Sequence, residues 1–199
     1  MKTAIIIGSH RENSQSTKVG GYIASKLKSM GHQTYIFDLQ GNPLPLWDES
    51  IWQSDPTWSK RWSPISKELE SCDSAVIVSP EWGGMVPAAL KNFFLLVGKE
   101  LAHKPAMIAA VSASKGGSYP IAELRMSSYK NTFINYIPDH VIVRDVENVL
   151  EGETAKSDDD SFIRSRIEYS LKILTHYAAG LKKVRDSGDI DFKTYPFGM

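Results

Sequence analysis

The sequence has 199 residues, which suits one α/β domain, because two domains of ordinary size need a longer chain. Lysine plus arginine and aspartate plus glutamate number 23 each, so the formal net charge of zero offers no attraction for nucleic acid or for an anionic membrane. A single cysteine, Cys72, excludes an internal disulfide and suits a reducing, cytoplasmic compartment. We therefore expect one domain over residues 1–199 with a small molecule as its partner.

The first part of the chain alternates between strand and helix patterns. Residues 4–7 form an apolar run rich in β-branched side chains, which predicts a strand buried on both faces. The run is too short for a signal peptide or a membrane span. Apolar residues then recur every four positions over 19–27, which predicts an amphipathic helix, and a second strand is predicted over 33–37.

The rest of the chain continues this alternation. The patterns predict, in order, a helix at 65–70, a strand at 75–78, a helix at 87–97, a strand at 106–111, a helix from Pro120, a short strand at 141–143 and a final helix with an apolar stripe from Ile163 to Leu181. Strands and helices at this spacing form right-handed βαβ units. The sequence thus predicts a doubly wound parallel sheet of about five strands.

Two segments do not fit the alternation. Residues 40–64 are rich in proline and hold four of the five tryptophans, at positions 47, 52, 58 and 62. We expect these side chains to pack in a homodimer contact rather than to form a substrate lid, because aromatic residues concentrate at interface cores. Residues 148–161 are acidic and polar, and we expect them to form a solvated connection into the last helix.

The segment after the first strand, residues 8–17, reads GSHRENSQST and runs directly into a helix. In a doubly wound sheet, ligands bind beyond the carboxyl ends of the strands. Free N–H groups at the helix start and the hydroxyls of Ser9, Ser14 and Ser16 suit a phosphate, and Arg11 adds a cation. Neither a P-loop ending nor a dinucleotide fingerprint is present, which favours a monophosphate without a required metal. The alternative is an ordinary polar turn with a helix cap.

Two further loops follow the third and fourth strands. Residues 79–92 read SPEWGGMVPAALKN, and residues 112–118 read SASKGGS. The glycines at 83 and 84 allow the main chain to approach a flat ligand closely. The alternatives are a tight turn that leads into a helix at Pro87, and a core or interface position for Trp82.

The motifs of these loops resemble a known family. Gly-Ser-x-Arg-x-x-Ser after the first strand, and Pro-Glu-aromatic followed by Pro-x-x-Leu-Lys-Asn after the third, are similar to the NADPH-dependent FMN reductases, which include quinone, chromate and azo reductases. The resemblance implies a flavodoxin-like three-layer α/β sandwich whose five-stranded parallel sheet has the order 2-1-3-4-5. It also implies FMN as the cofactor and NADPH or NADH as the electron donor.

The resemblance also implies which residues hold FMN. The phosphate is expected at the first loop and the helix start, at Ser9, Arg11, Ser14, Gln15 and Ser16. The isoalloxazine ring is expected along the second loop and the glycine-rich third loop, at Pro80, Glu81, Trp82, Gly83, Ser112 and Gly116. The chain departs from the family at Trp82, where tyrosine is usual, and at Gly83, where asparagine is usual.

We therefore expect an FMN-dependent NAD(P)H oxidoreductase that passes hydride through FMN to quinones, azo compounds, metal oxyanions or free flavin. No catalytic side chain and no metal are predicted, because hydride transfer from nicotinamide to flavin is the cofactors' own chemistry. One alternative is a non-catalytic FMN electron carrier, which should be acidic to dock on basic partners. The other is a flavin-free regulatory domain. The expected assembly is a homodimer or homotetramer.

Overall fold

The centre of the fold is a five-stranded parallel sheet. The computed structural model describes residues 1–53 and 55–198. The strands are β1 (Lys2–Ile7), β2 (Gln33–Asp38), β3 (Ser74–Pro80), β4 (Pro105–Val111) and β5 (Asn135–Val143). Their spatial order is β2-β1-β3-β4-β5, and every neighbouring pair is parallel. This confirms the parallel five-stranded sheet that the sequence patterns predicted and the flavodoxin-like strand order that the family resemblance implied.

Helices cover both faces of this sheet. They are α1 (Gln15–Ser29), α2 (Pro56–Arg61), α3 (Ser63–Glu70), α4 (Ala88–Leu96), α5 (Ser118–Met126) and α6 (Asp158–Arg185), with short 3-10 turns at Glu49–Gln53 and Val146–Asn148. Helices α1 and α6 pack on one face, and α2 to α5 pack on the other. No helix of residues 1–53 and 55–198 is long and apolar enough to cross a membrane.

Each central strand contains a continuous apolar run, at residues 4–7, 75–78 and 106–111, because both faces of the sheet are buried there. In β1, Ala4 and Ile6 point into the core shared with α2 to α5, whereas Ile5 and Ile7 point into the core shared with α1 and α6. Strands β3 and β4 are buried at every position. These continuous apolar runs are typical of parallel sheets, and they fix the ends of three adjacent strands at one edge.

The last strand is longer than predicted. It covers nine residues instead of the three expected at 141–143, and it lies at the edge of the sheet. An edge strand is only partly covered, so its first half carries the polar residues Asn135 and Asp139 and tolerates Pro138. Because of these residues, the sequence pattern does not identify the first half of β5 as a strand.

The prediction for the tryptophan-rich segment was wrong for two of its side chains. Trp58 and Trp62 lie on α2 and at its end, and both are buried in the core of their own chain. Their indole N–H groups donate to Ser50 Oγ at 2.8 Å and to Glu100 Oε1 at 3.1 Å. Trp52 is 76% exposed. Two of the four tryptophans of this segment are thus buried within the chain. Residue 54 of the segment lies outside the residues that the structure describes.

The acidic segment that leads into α6 is exposed over residues 152–159, as predicted, but Asp160 in the first turn of the helix is a buried polar anchor. Asp160 is fully buried; its Oδ1 accepts hydrogen bonds from Leu150 N and Arg164 Nε, both at 2.8 Å. Its Oδ2 accepts from Lys156 N at 3.0 Å. The Asp160 carboxylate accepts hydrogen bonds from two backbone N–H groups and an arginine, and these bonds compensate for its burial. Composition alone indicates only a solvated connection here.

Replacing Asp160 by alanine is expected to lower the free energy of unfolding by about 3–5 kcal/mol, because it leaves Arg164 without its buried partner. Burial raises the pKa of the Asp160 carboxyl, but hydrogen bonds from Arg164, Leu150 and Lys156 outweigh it and lower that pKa overall. Because the pKa of the Asp160 carboxyl is lower in the folded protein than in the unfolded chain, Asp160 contributes its full stabilisation above the unfolded-state pKa of about 3.9. This stabilisation is lost as pH falls through the folded-state pKa.

Urea unfolding at neutral pH and at pH values below the unfolded-state pKa checks both parts of this prediction. The exposed neighbour Asp159 provides the matched control, and Asp159→Ala should behave like the wild type. The difference between wild type and Asp160→Ala should shrink in acid. Equal stability of the two alanine variants at neutral pH would contradict the role given to Asp160.

Candidate cofactor site

Three loops meet at the carboxyl edge of the sheet. We call residues 8–14 loop 1, residues 81–87 loop 2 and residues 112–117 loop 3; they follow β1, β3 and β4. Ile7 pairs with Val78, and Pro80 pairs with Val111, so the three strands end side by side. The predicted cofactor residues all lie in these loops or directly beside them, at the place where a doubly wound sheet binds its ligands.

Loop 1 leaves β1 through a position that only glycine can occupy. Gly8 N donates to Val78 O at 2.8 Å, and a Cβ at this position would lie 2.9 Å from that carbonyl oxygen. The loop ends at Ser14, which caps α1 by accepting a hydrogen bond from Thr17 N at 3.1 Å. The cap agrees with the alternative of an ordinary capped turn, so the case for a ligand depends on the other polar groups of the loop.

One of those groups has no hydrogen-bond partner among residues 1–53 and 55–198, and one arginine has no salt-bridge partner among them. The Oε1 atom of Gln15, in the first turn of α1, is buried and has no hydrogen-bond partner among the described residues. A buried polar atom without a partner is unfavourable by about 1–3 kcal/mol, and a ligand hydroxyl would satisfy it. Arg11 is exposed, and its guanidinium forms no salt bridge within the part of the chain that the structure describes. Ser9 in loop 1 and Ser16 in the first turn of α1 are buried. Arg11 and the serine hydroxyls are suitable donors to a phosphate, and Gln15 Oε1 is a suitable acceptor for a ribityl hydroxyl of FMN.

Loop 2 begins with a tight hairpin turn. Trp82 and Met85 exchange two backbone hydrogen bonds, at 3.1 and 3.0 Å. Gly83 and Gly84 between them have φ angles of 58° and 73°, a conformation that side-chain-bearing residues rarely adopt. The Trp82 ring meets His10 of loop 1 edge-on at 4.8 Å between ring centroids. The tryptophan therefore joins loop 2 to loop 1 in this structure.

The carboxylate of Glu81 joins loop 2 to loop 3. Its Oε2 accepts hydrogen bonds from Gly117 N at 2.7 Å and from Tyr119 N at 3.2 Å, which satisfies the start of α5. Its Oε1 lies only 2.7 Å from the place where a Cβ on Gly116 would stand. The side chain that the family resemblance places at the isoalloxazine ring therefore contacts protein amides here, and Gly116 gives it room.

Loop 3 is also held from its other side. Arg144, which follows β5, donates from Nε to Gly116 O at 3.0 Å. Ser112 N donates to Val143 O at 2.9 Å, and Ser112 Oγ accepts from Ser114 N at 3.2 Å. Lys115 is exposed at the tip. Hydrogen bonds thus hold the loop at both of its ends.

Sequence reasoning missed two residues that shape this edge. Arg144 lies outside every motif, and no local pattern links it to loop 3. Asn92 belongs to the Pro-x-x-Leu-Lys-Asn motif, but the motif alone does not reveal which groups the Asn92 side chain contacts. Asn92 is buried, accepts a hydrogen bond from Trp47 N at 2.7 Å and donates to Pro45 O at 2.8 Å. It therefore fastens the segment after β2 to α4.

Known proteins resemble this chain in sequence or in fold. The chain is 24% identical over 174 residues to an FMN-dependent NADPH-azoreductase of Staphylococcus aureus, which covers 86% of this chain and 89% of that protein. Its fold resembles FerB, a flavoenzyme NAD(P)H:(acceptor) oxidoreductase from Paracoccus denitrificans, with a TM-score of 0.69 and 16% identity over 92% of this chain and 97% of that one. It also resembles the apo form of an NADH:FMN oxidoreductase, with a TM-score of 0.65 and 15% identity over 90% and 89% of the two chains.

The sequence profile of one family covers the region that contains all three loops. The profile described as NADPH-dependent FMN reductase matches residues 1–147. This match agrees with the unsatisfied polar groups of loop 1 and α1, and it makes FMN the cofactor and a reduced nicotinamide nucleotide the electron donor. The chain belongs to the NADPH-dependent FMN reductase family.

Proposed function

We propose that the chain holds the FMN phosphate in loop 1, lays the isoalloxazine ring along loops 2 and 3, and passes electrons from NADPH to a small organic acceptor. The observation that carries this proposal is that, among residues 1–53 and 55–198, Gln15 Oε1 is buried without a hydrogen-bond partner and the Arg11 guanidinium has no salt-bridge partner. A polar cluster left unsatisfied by the protein, at the positive end of a helix, favours an anionic ligand with hydroxyl groups.

In this proposal, loop 1 and the start of α1 bind the phosphate with Ser9, Arg11, Ser14, Gln15 and Ser16. The Arg11 guanidinium supplies the positive charge, and its charge-assisted hydrogen bonds are shorter and stronger than those of a neutral donor. The hydroxyls and the free N–H groups of the first turn complete the shell around the phosphate oxygens. The phosphate thus supplies affinity and fixes the position of the rest of the cofactor.

The ring is positioned in this proposal by Pro80, Trp82 and Gly83, and by the main chain of Ser112 and Gly116. Gly83 and Gly84 allow backbone N–H groups to reach the ring edge without a Cβ in the way. FMN supplies the redox chemistry when bound, because it accepts a hydride from the nicotinamide and delivers the electrons to the acceptor. The loops would orient the ring and exclude water from the face that they cover, so that donor and acceptor could approach the other face in turn.

We further propose one FMN-binding domain over residues 1–199, a cytoplasmic location and a homodimer. The dimer is supported by exposed apolar side chains at Met85 in loop 2, Leu95 on α4 and Met126 on α5. These segments are neighbours, because Val86, Leu95 and Ser127 line one cavity. Apolar patches of this kind mark interaction surfaces in soluble proteins. Analytical ultracentrifugation at micromolar concentration should give a dimer, and a monomer at that concentration would contradict this part of the proposal.

Anaerobic stopped-flow absorbance tests the electron transfer. The FMN-loaded protein is mixed with NADPH or NADH, and the reduced protein is then mixed with quinones, azo compounds or hexacyanoferrate(III). We expect NADPH to bleach the flavin absorbance and at least one organic acceptor to restore it. Slow bleaching by both nucleotides would instead support a non-catalytic electron carrier.

A further inference from the structure

Helix α6 carries a row of side chains outside the face that packs on the sheet. The packing face includes Ile163, Ile167 and Leu171, which are buried. In the row, Phe162 is 68% exposed and Tyr169 is 53% exposed. We call the row the outer stripe, and its members are Phe162, Arg166, Tyr169, Ile173, Tyr177, Gly180 and Val184. Aromatic residues and arginine are the residue types that concentrate at protein interfaces.

The outer stripe runs along the whole length of the helix. Its members are separated by four, three, four, four, three and four positions, which makes two consecutive 11-residue repeats. Such a repeat has about 3.67 residues per turn, close to the roughly 3.6 of an α-helix, so the stripe stays on one side of α6. From Phe162 to Val184 it is about 33 Å long. The spacing is the same when it is followed from either end, and Ile173 is its centre.

The outer stripe lies on the side of α6 towards β5, the edge strand of the sheet. Arg166 Nη2 donates to Asp139 Oδ1 of that strand at 2.8 Å. The free edge of a strand can itself pair with another strand, but here Arg125 Nη2 donates to Ile137 O at 2.8 Å and to Pro138 O at 2.9 Å. Pro138 also lacks an N–H group, and both features oppose pairing at an edge. A partner on this side therefore meets the helix rather than the strand.

The outer stripe brings no unpaired charge into a contact. Arg166, its only charged member, forms a salt bridge with Asp139, and its guanidinium carbon lies 5.3 Å from the centroid of the Tyr169 ring. A paired charge loses less on burial than a lone one. Gly180 is a second unusual member, because glycine is less favourable than alanine inside a helix. The space at its Cβ position is open to at least 4 Å, so a second helix can approach α6 closely there.

The two ends of α6 carry opposite charges. Asp158 and Asp159 are exposed in the first turn, and Lys183 is exposed in the last turn. None of these three side chains forms a salt bridge within residues 1–53 and 55–198. Two α6 helices side by side in parallel would place like charges together. An antiparallel pair places the acidic first turn of each helix beside the basic last turn of the other, and it also opposes their dipoles.

We propose that the outer stripe binds the outer stripe of a second copy of this chain, with the two α6 helices antiparallel and Ile173 at the two-fold axis. Positions at equal distances from Ile173 then face each other. Tyr169 of one copy meets Tyr177 of the second copy. Arg166 meets Gly180 of the second copy, which leaves room for the arginine and its neighbouring ring. A two-fold contact needs one self-complementary surface, and the symmetrical spacing of the stripe supplies it.

This contact is separate from the homodimer proposed above. The side chains that support that dimer lie in loop 2 and on α4 and α5, whereas α6 packs on the opposite face of the sheet. Pairing through α6 therefore joins two dimers into a tetramer. Because only a few apolar side chains of the stripe are exposed, we expect the tetramer at protein concentrations above those that complete the dimer.

Disulfide cross-linking of the FMN-loaded protein tests the pairing. Cys72, the only native cysteine, is buried, so an exposed new cysteine on α6 reacts without it. Ile173→Cys places two thiols at the axis, and we expect diamide to oxidise them to a disulfide between two chains. Ala179→Cys, exposed on α6 outside the stripe, is the matched control and should stay unlinked. In an equal mixture, Tyr169→Cys and Tyr177→Cys should cross-link to each other faster than either links to itself.

Sedimentation equilibrium measures the same contact without oxidation. From micromolar to millimolar concentration, the wild type should pass from dimer to tetramer. Tyr177→Glu buries one new charge from each copy in the contact, so the dissociation constant of the tetramer should rise at least about 10-fold. Ala179→Glu adds the same charge outside the stripe and should behave like the wild type. FMN affinity should be equal in both glutamate variants, because α6 forms no part of the three loops.

Absence of a cross-link in Ile173→Cys, or equal cross-linking of Ile173→Cys and Ala179→Cys, would overturn the proposal. Faster linking of Tyr169→Cys to itself than to Tyr177→Cys would overturn the antiparallel arrangement. Equal effects of the two glutamate variants on the tetramer would remove the stripe from the contact. A wild type that lacks the dimer through α4 and α5 but cross-links at Ile173 would count against that dimer alone and support the pairing of α6.

Discussion

Replacing Arg11 by alanine is expected to weaken FMN binding by about 10- to 100-fold, because hydrogen bonds to a charged group contribute about 1.5–3 kcal/mol each. Arg11 has no salt-bridge partner among the described residues, so its removal leaves no protein group unpaired. The free energy of unfolding of the apoprotein should therefore remain close to that of the wild type. Fluorescence titration of the apoprotein with FMN, together with urea unfolding, measures both quantities.

A second arginine provides the control for this experiment. Arg61 is exposed, lies outside the three loops and makes one long hydrogen bond of 3.4 Å to Pro43 O. Arg61→Ala removes the same charge from the chain, so it corrects for any general effect of net charge on the binding of a dianion. Equal FMN affinities of the two alanine variants would show that Arg11 does not bind the FMN phosphate.

Replacing Glu81 by alanine is expected to weaken FMN binding by about 10-fold or more and to lower the free energy of unfolding by about 1–3 kcal/mol. The carboxylate accepts the N–H groups of Gly117 and Tyr119, and its loss leaves both donors at the start of α5 unsatisfied. Loops 2 and 3 then lose the contact that sets their separation. A ligand that lies between them must order them again on binding, which reduces its affinity.

Two further variants separate this account from a simple loss of stability. Glu81→Gln keeps one acceptor oxygen and should bind FMN with an affinity between those of the wild type and Glu81→Ala. Gly116→Ala retains the carboxylate but places a methyl group 2.7 Å from Glu81 Oε1, so it should also weaken FMN binding. Wild-type FMN affinity in folded Glu81→Ala would show that the cofactor does not depend on this contact between the loops.

The strands were predictable from the sequence where helices bury both faces of the sheet. Strands β1, β3 and β4 each contain a continuous apolar run because helices cover both of their faces, and such runs are visible without a structure. The first half of β5 was not predictable, because an edge strand mixes polar residues and a proline into its pattern. The inward positions of Trp58 and Asp160 were missed for a related reason, since each depends on partners that composition does not reveal.

The residue types of the candidate site were predictable, but the contacts between its loops were not. Serines and an arginine before a helix indicate an anion site by local chemistry alone. The partners of Glu81 lie 36 and 38 positions further along the chain, and Arg144 reaches back 28 positions to loop 3. Long-range pairs of this kind follow from the register of parallel strands, which no short sequence pattern specifies.

Comparing FMN with riboflavin as ligands of the wild-type apoprotein tests the central claim most directly. The two molecules share the isoalloxazine ring and the ribityl chain and differ only in the phosphate. If loop 1 holds the phosphate, FMN should bind at least about 100-fold more tightly than riboflavin, since several charge-assisted hydrogen bonds are lost together. Equal affinities for the two ligands, or no binding of FMN, would contradict the account.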